Sequence, residues 1–131
     1  MISEPRDNDT GATLSEVIAQ IPNELSYDVV GLWHIVPVGQ GNFGLKGEAW
    51  ADFLRRAILA LLDAGAVPVR HEPGTGYEWI RQKQYGSSHP EIADAIIQEW
   101  RSVPDNSIAQ IEHCPWFARP IPENPNYVRM D

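Results

Sequence analysis

Four stretches of the chain place apolar residues at helical spacing, and turn-forming residues separate them. Thr13 and Glu16 stand at the spacing of a capping box, in which each side chain satisfies a backbone N–H at a helix start. Leu14, Val17, Ile18 and Ile21 follow on one face and Pro22 stops the run, so a short helix is predicted over 13–21. Asp28 can cap a second helix over 28–36, with Val29, Leu32, Trp33 and Val36 on one side and Pro37 at its end. The β-branched content of that stretch suits a strand as well. The segment from Gly39 to Gly47 is rich in glycine and reads as a loop.

The densest pattern runs from Glu48 to Ala64. Ala49, Trp50, Phe53, Leu54, Ala57, Ile58, Leu61 and Leu62 form a continuous stripe, with Glu48 and Asp52 at the positive end of the helix dipole. Gly65 stands where a left-handed residue would end that helix. Residues 66–70 then read as a short strand, and Pro68 predicts an edge position for it. A turn over 71–76 and a returning strand over 77–80 complete a hairpin. Ser88 and Glu91 form another capping box, with Pro90 in the first turn. Ile92, Ala95, Ile96, Glu99 and Trp100 carry the helix to about residue 102. A last strand is expected over 107–113. Beyond it, four prolines between Cys114 and Tyr127 require an extended segment.

These elements predict an α+β class: a helix-rich single domain with a small β-hairpin, in a winged-helix-like order. Residues 1–12 are expected to be a loose N-terminal segment, 13–118 the domain, and 119–131 a proline-rich tail. Four short motifs occur in order: Leu32-Trp33, Leu61-Leu62 closing on Gly65, Glu99-Trp100, and Trp116-Phe117. In this order and spacing the chain resembles a small uncharacterised bacterial protein family with no established activity. The likeness covers roughly residues 28–118 and implies no substrate, cofactor or catalytic residue. The chain departs from the family pattern in the glycine-rich loop at 39–47 and in the tail.

Composition narrows the function classes. Ten Lys and Arg against eighteen Asp and Glu leave a net charge of −8 over 131 residues, which disfavours nucleic acid and anionic lipid as partners. Residues 1–44 carry one Arg and six acids, residues 45–85 six bases and five acids, and residues 86–131 three bases and seven acids. The bases of the middle segment are Lys46, Arg55, Arg56, Arg70, Arg81 and Lys83, the candidate contacts to nucleic acid or to a partner. The acids interleaved with them suit an ordinary solvated surface. The only Cys, Cys114, excludes an internal disulfide and a cysteine-based zinc cluster. No apolar run reaches the roughly 20 residues of a membrane span. Glu4, Asp7 and Asp9 stand where a signal peptide needs a positive region. A soluble, cytoplasmic protein without a membrane partner is expected.

The chemistry-bearing residues form no catalytic constellation. His34, His71, His89 and His113 lack the spacing of metal ligands on one helix face. His113 and Cys114 are sequence neighbours, which does not aim a base at a thiol, and Pro115 fixes the segment. Gly39, Gly41 and Gly44 spell GxGxxG, but no strand precedes them and acids open the following helix, so a loop is favoured over a nucleotide site. Glu99, on a mostly apolar face, is a buried acid or, as is more common for such a residue, reaches solvent at the helix edge or pairs with an arginine such as Arg101 or Arg55. Of five tryptophans, Trp33, Trp50 and Trp100 lie on helix faces that predict core packing, whereas Trp79 and Trp116 are candidate interface aromatics. No catalytic, metal or cofactor residue is assigned. The expected function is non-catalytic binding of a protein partner, as an adaptor or immunity protein does, with acidic ends that suit a basic one; a homo-oligomer and a mobile-element gene context are compatible with it. The alternative is a winged-helix DNA-binding regulator, and the third reading is a small-molecule-binding or enzymatic domain.

Overall fold

The structure, a computed structural model, describes residues 5–26, 29–32, 35, 38–102 and 115–130. In chain order these form α1 (Leu14–Gln20), a 3-10 segment (Ile21–Ser26), a π-type turn (Val38–Asn42), α2 (Gly47–Asp63), β1 (Val67–Arg70), β2 (Trp79–Arg81), α3 (His89–Ser102), β3 (Trp116–Ala118) and β4 (Val128–Arg129). The architecture is a helix-rich α+β fold with a small four-stranded sheet.

α2 is the spine. Trp50, Phe53, Leu54, Ala57, Ile58, Leu61 and Leu62 are buried along it, and of the predicted stripe Ala49 alone is exposed. Burying a large apolar side chain contributes about 1.5–3 kcal/mol, so this helix is held by packing more than by propensity. It ends in a Schellman motif: the Gly65 N–H donates to the Leu62 carbonyl and the Ala66 N–H to the Leu61 carbonyl, with Gly65 at φ +94°. α3 packs on one flank through Ile92, Ala93, Ile96 and Ile97. On another flank lie α1 and the 3-10 segment, and α1 opens with the reciprocal Thr13–Glu16 capping box. At the start of α3 the Glu91 N–H donates to the Ser88 hydroxyl.

Of the predicted helix over 28–36, Leu32 and Ile35 are helical and buried, whereas Val30 is bridged to Phe117 as in a sheet. Trp33, His34 and Val36 lie outside the described residues, as does the predicted strand over 107–113. Within the N-terminal segment, the Asp7 carboxylate accepts from the N–H groups of Asp9 and Thr10 and from the Asn42 amide at 2.9 Å. The Asn42 bond, followed by those from the backbone, holds its pKa below the ordinary 3.8. Asp7 thereby joins residues 5–13 to the π-type turn ahead of α2.

The sheet order is β3-β1-β2-β4, with β1 antiparallel to both neighbours and β4 parallel to β2. β1 is therefore central, which corrects the edge position predicted from Pro68. The reason lies in the direction of the proline's backbone groups. The Gln82 N–H donates to the Pro68 carbonyl, so the ring nitrogen also faces β2, at the rung just beyond the end of that strand. The missing N–H thus interrupts neither named ladder. Val30 and Phe117 exchange backbone bonds of 2.8 and 2.7 Å, which also satisfies the far side of β3. The hairpin β1–β2 forms as predicted, but it is the centre of a sheet, not a free wing. The proline-rich segment is not helical, but it is not extended throughout as expected: the Asn124 N–H on the Ile121 carbonyl and the Tyr127 N–H on the Asn124 carbonyl close two successive turns over 121–127, and β4 follows them.

Gly39 is buried against the rings of Trp50 and Phe53; a Cβ there would lie 2.7 Å from Phe53 and closer still to Trp50. Gly39→Ala is expected to destabilise the fold by about 1–3 kcal/mol through overpacking. Gly41→Ala, at a position with nothing within 4 Å, should stay within about 0.5 kcal/mol of the parent. Urea midpoints of the two variants measure the difference.

Candidate functional site

The six bases of the middle segment do not form one face. Arg55 reaches α3 and bonds Asp94 at 2.9 Å, an exposed pair that contributes at most about 1 kcal/mol. Its neighbour Arg56 turns the other way and donates to the Ser15 hydroxyl of α1 at 3.2 Å. Arg70 points from β1 toward the helices. Arg81 lies on the opposite side of the sheet, across from Val69. Lys46 precedes α2 and Lys83 follows β2, both exposed. Arg55, Arg56 and Arg70 therefore have partners within the fold.

Arg70 belongs to a part-buried polar group that joins three elements. Its guanidinium donates to the Tyr85 hydroxyl at 2.9 Å and to Glu99 at 3.0 Å, while the Tyr85 hydroxyl sits 2.9 Å from both Glu99 oxygens and donates its proton there. Tyr85 is 6 % exposed, and Arg70 and Glu99 are each about a quarter to a third open. The arrangement fastens β1 to α3 through a residue of the connecting loop. Glu99 thus has Arg70 as partner, not the Arg101 or Arg55 suggested by sequence proximity, because the sheet brings a residue 29 positions away onto the helix face. Arg101 instead lies 3.9 Å from Glu48. Burial pushes the Tyr85 pKa up from 10.0 to about 12; the Arg70 bond opposes the rise and the Glu99 carboxylate adds to it.

The outer face of the sheet is built by strand alternation. Val67 and Val69 of β1, Trp116 and Ala118 of β3, and Trp79 and Arg81 of β2 share it, with Val128 beside Trp79. Trp79 and Trp116 meet across β1 at 5.6 Å between ring centroids, tilted by 39°, and Val69 between their strands is fully buried. His71 stands edge-on to Trp79 at 6.0 Å. Val29, Tyr127 and Met130 complete this cluster, to which no residue of α1, α2 or α3 contributes. Both tryptophans remain partly exposed. The two candidate interface aromatics are thus brought together into one surface feature.

The other candidates separate. His89 bonds Asp63 at 2.7 Å, joining the start of α3 to the end of α2. His34, His113 and Cys114 lie outside the described residues. Among the described residues no three His, Cys, Asp or Glu side chains converge as metal ligands would. The glycine-rich loop folds back on itself, with the Phe43 N–H on the Val38 carbonyl and the Leu45 N–H on the Gly39 carbonyl. No described helix is long and apolar enough to cross a membrane. Compared with family models, characterised proteins and solved structures, the chain has no significant match.

The raised Tyr85 pKa sets a pH dependence. The neutral hydroxyl is favoured by the fold, so its contribution is fully present below pH 10 and is lost as pH rises through about 12. Urea midpoints should therefore fall between pH 10 and pH 11.5. Tyr85→Phe, less stable at neutral pH, should lose most of that slope. An unchanged slope would assign the effect to another group.

Proposed function

We propose that this chain is a non-catalytic protein-binding protein of the adaptor or immunity kind, acting in the cytoplasm, and that it engages its partner through the outer face of the sheet. The observation that carries the reading is the Trp79–Trp116 pair. Two large aromatic side chains on one sheet, partly exposed and, among the described residues, clustered apart from α1, α2 and α3, are the type of anchor that dominates binding energy at protein interfaces. The overall charge favours a basic partner: the net charge of the chain is −8, and acids outnumber bases in both end segments. The internal bonds of Arg55, Arg56 and Arg70 support this reading over a DNA-binding one, because three of the six candidate phosphate contacts already hold the fold together.

The test is affinity capture on the tagged full chain from its source cells, at low and high salt, with Trp79→Ser and Trp116→Ser in parallel. The expected result is a retained protein of basic isoelectric point whose binding weakens with salt. Each substitution should lower the measured affinity by roughly thirtyfold, or about 2 kcal/mol. Circular dichroism checks that both variants stay folded. Retention of DNA, assembly of the chain with itself alone, or a partner indifferent to both tryptophans overturns the proposal.

A further inference from the structure

With Arg55, Arg56 and Arg70 engaged inside the fold, Lys46, Arg81 and Lys83 remain of the six candidate bases. Lys46 and Lys83 are exposed and lie outside the strands. Arg81 differs from both. It belongs to β2, is partly sheltered from solvent, and stands on the outer face of the sheet directly across from Val69. Trp116 flanks Val69 on its other side. Trp79 precedes Arg81 by two residues on the same strand face, a spacing of about 7 Å. Arg81 therefore borders the Trp79–Trp116 pair.

Two observations set this arginine apart. Arg55, Arg70 and Arg101 each face an acid of another element and Arg56 bonds a hydroxyl, but the Arg81 guanidinium has no hydrogen-bond or ion-pair partner among the described residues. Five donors in a rigid, partly sheltered fork are suited to a planar acceptor supplied from outside. The second observation is the local charge. The outward strand positions carry four aliphatic residues, the two tryptophans and Arg81, which is one base and no acid. The nearest acids in sequence, Glu72 and Glu78, are exposed and lie ahead of β2 in the hairpin loop. At contact range the strand face is thus positive, in a chain whose net charge is −8. The two charges act at different distances: the total draws a basic protein from afar, whereas the group set opposite Arg81 fixes register and specificity.

We propose that Arg81 is the specificity-determining contact of the outer face, and that it pairs with a carboxylate side chain on an extended segment of the protein partner. A large apolar side chain of that segment lies on Trp79 and Trp116, and an acid two residues further on reaches Arg81, since both strands share the same spacing between alternate residues. The guanidinium accepts the carboxylate through two parallel bonds, which a lysine or an amide on the partner cannot form. A polypeptide carboxylate is favoured over a nucleic-acid phosphate because one guanidinium matches one carboxylate, whereas a phosphate backbone needs a row of bases that this face lacks. The assignment rests on the outer face being the docking surface, and adds to it the acidic group that an otherwise basic partner presents there.

The experiment follows the arginine side-chain and tryptophan indole N–H signals of the ¹⁵N-labelled full chain. The probe is a tripeptide of phenylalanine, serine and glutamate with both ends blocked, so that the glutamate is its only charge. The same tripeptide ending in glutamine or in lysine, and a short oligothymidylate, are titrated in parallel. Arg81→Gln assigns the arginine signal, and circular dichroism checks that the variant stays folded. Saturable shifts of the Arg81 and Trp79 signals with the glutamate peptide are expected in the millimolar range. The glutamine peptide should bind about tenfold more weakly, the loss of one charge-assisted bond, and Arg81→Gln should abolish that preference. Arg81→Lys, which keeps the charge without the fork, should retain only part of it. No saturable shift, a lysine peptide that binds as well, or tighter binding of the oligothymidylate overturns the proposal. Equal binding of the glutamate and glutamine peptides at Trp79 overturns the role of Arg81 alone and leaves the docking face standing, which the affinity capture judges separately.

Discussion

The apolar stripe of α2 is the constraint on which the rest of the structure depends. Seven of its seventeen residues are buried, and no single neighbouring element is large enough to cover them. α1 has seven residues and the π-type turn five, lengths that do not persist as isolated helices in water. Each is stable only against α2. The glycine-rich loop shows how tight that dependence is: Gly39 brings backbone against Trp50 and Phe53, where any side chain would force the rings apart. Close packing accounts for Gly39, and a left-handed backbone for Gly44 and Gly47, at φ +63° and +57°.

The sheet inherits its position from the same core. Phe117 is fully buried within the helical cluster although it belongs to β3, and Pro68 opposite it is also fully buried. Strand alternation then makes the two faces chemically different. The inner face carries Phe117, Pro68 and Arg70, and the outer carries Val69, Ala118 and the tryptophans. Arg70 is the awkward member of the inner face, since a guanidinium directed toward a core needs compensation. Glu99 and Tyr85 supply it, and in doing so they tie β1 to α3.

How much of this was legible in the sequence depended on the range of the interaction. The Thr13–Glu16 box, the Gly65 terminator and the stripe from Trp50 to Leu62 are encoded within a few residues of where they act, and their elements form as read. Pro68 misled because the rule for proline in strands assumes that its missing N–H faces a continuing neighbour. Here that nitrogen faces the end of β2, a fact of register that no local pattern carries. Glu99 was recognised as an acid on an apolar face, but its partner came from a strand far away in sequence. Trp79 and Trp116 were singled out separately; nothing in their spacing said that β1 would lie between them and let their rings touch. The contact between Trp50 and Trp100 was hidden for a similar reason. Both residues sit on core-facing stripes, and only the antiparallel placement of α2 and α3 sets their rings at the helix ends.

The uneven charge along the chain also has a structural account. The middle segment holds most of the bases, and it is the segment that touches every other part of the fold. Arg55 bonds Asp94 and Arg70 bonds Glu99, two acids from the acidic C-terminal third, while Arg56 reaches back to α1. Bases gathered in sequence are therefore dispersed in space, and their clustering reflects how α2 and β1 bind their neighbours. The acids are treated differently. Asp7 is held by amide donors and Glu16 by the helix cap, bonds that satisfy a carboxylate without cancelling its charge. The fold thus disperses its positive charges among internal bonds and leaves a net negative one, while placing the four described tryptophans in two pairs, one on the outer sheet face and one at the helix ends. Aromatic anchoring on the first of these, set in a negative overall field, is the physical combination that makes a basic protein the natural complement of this surface.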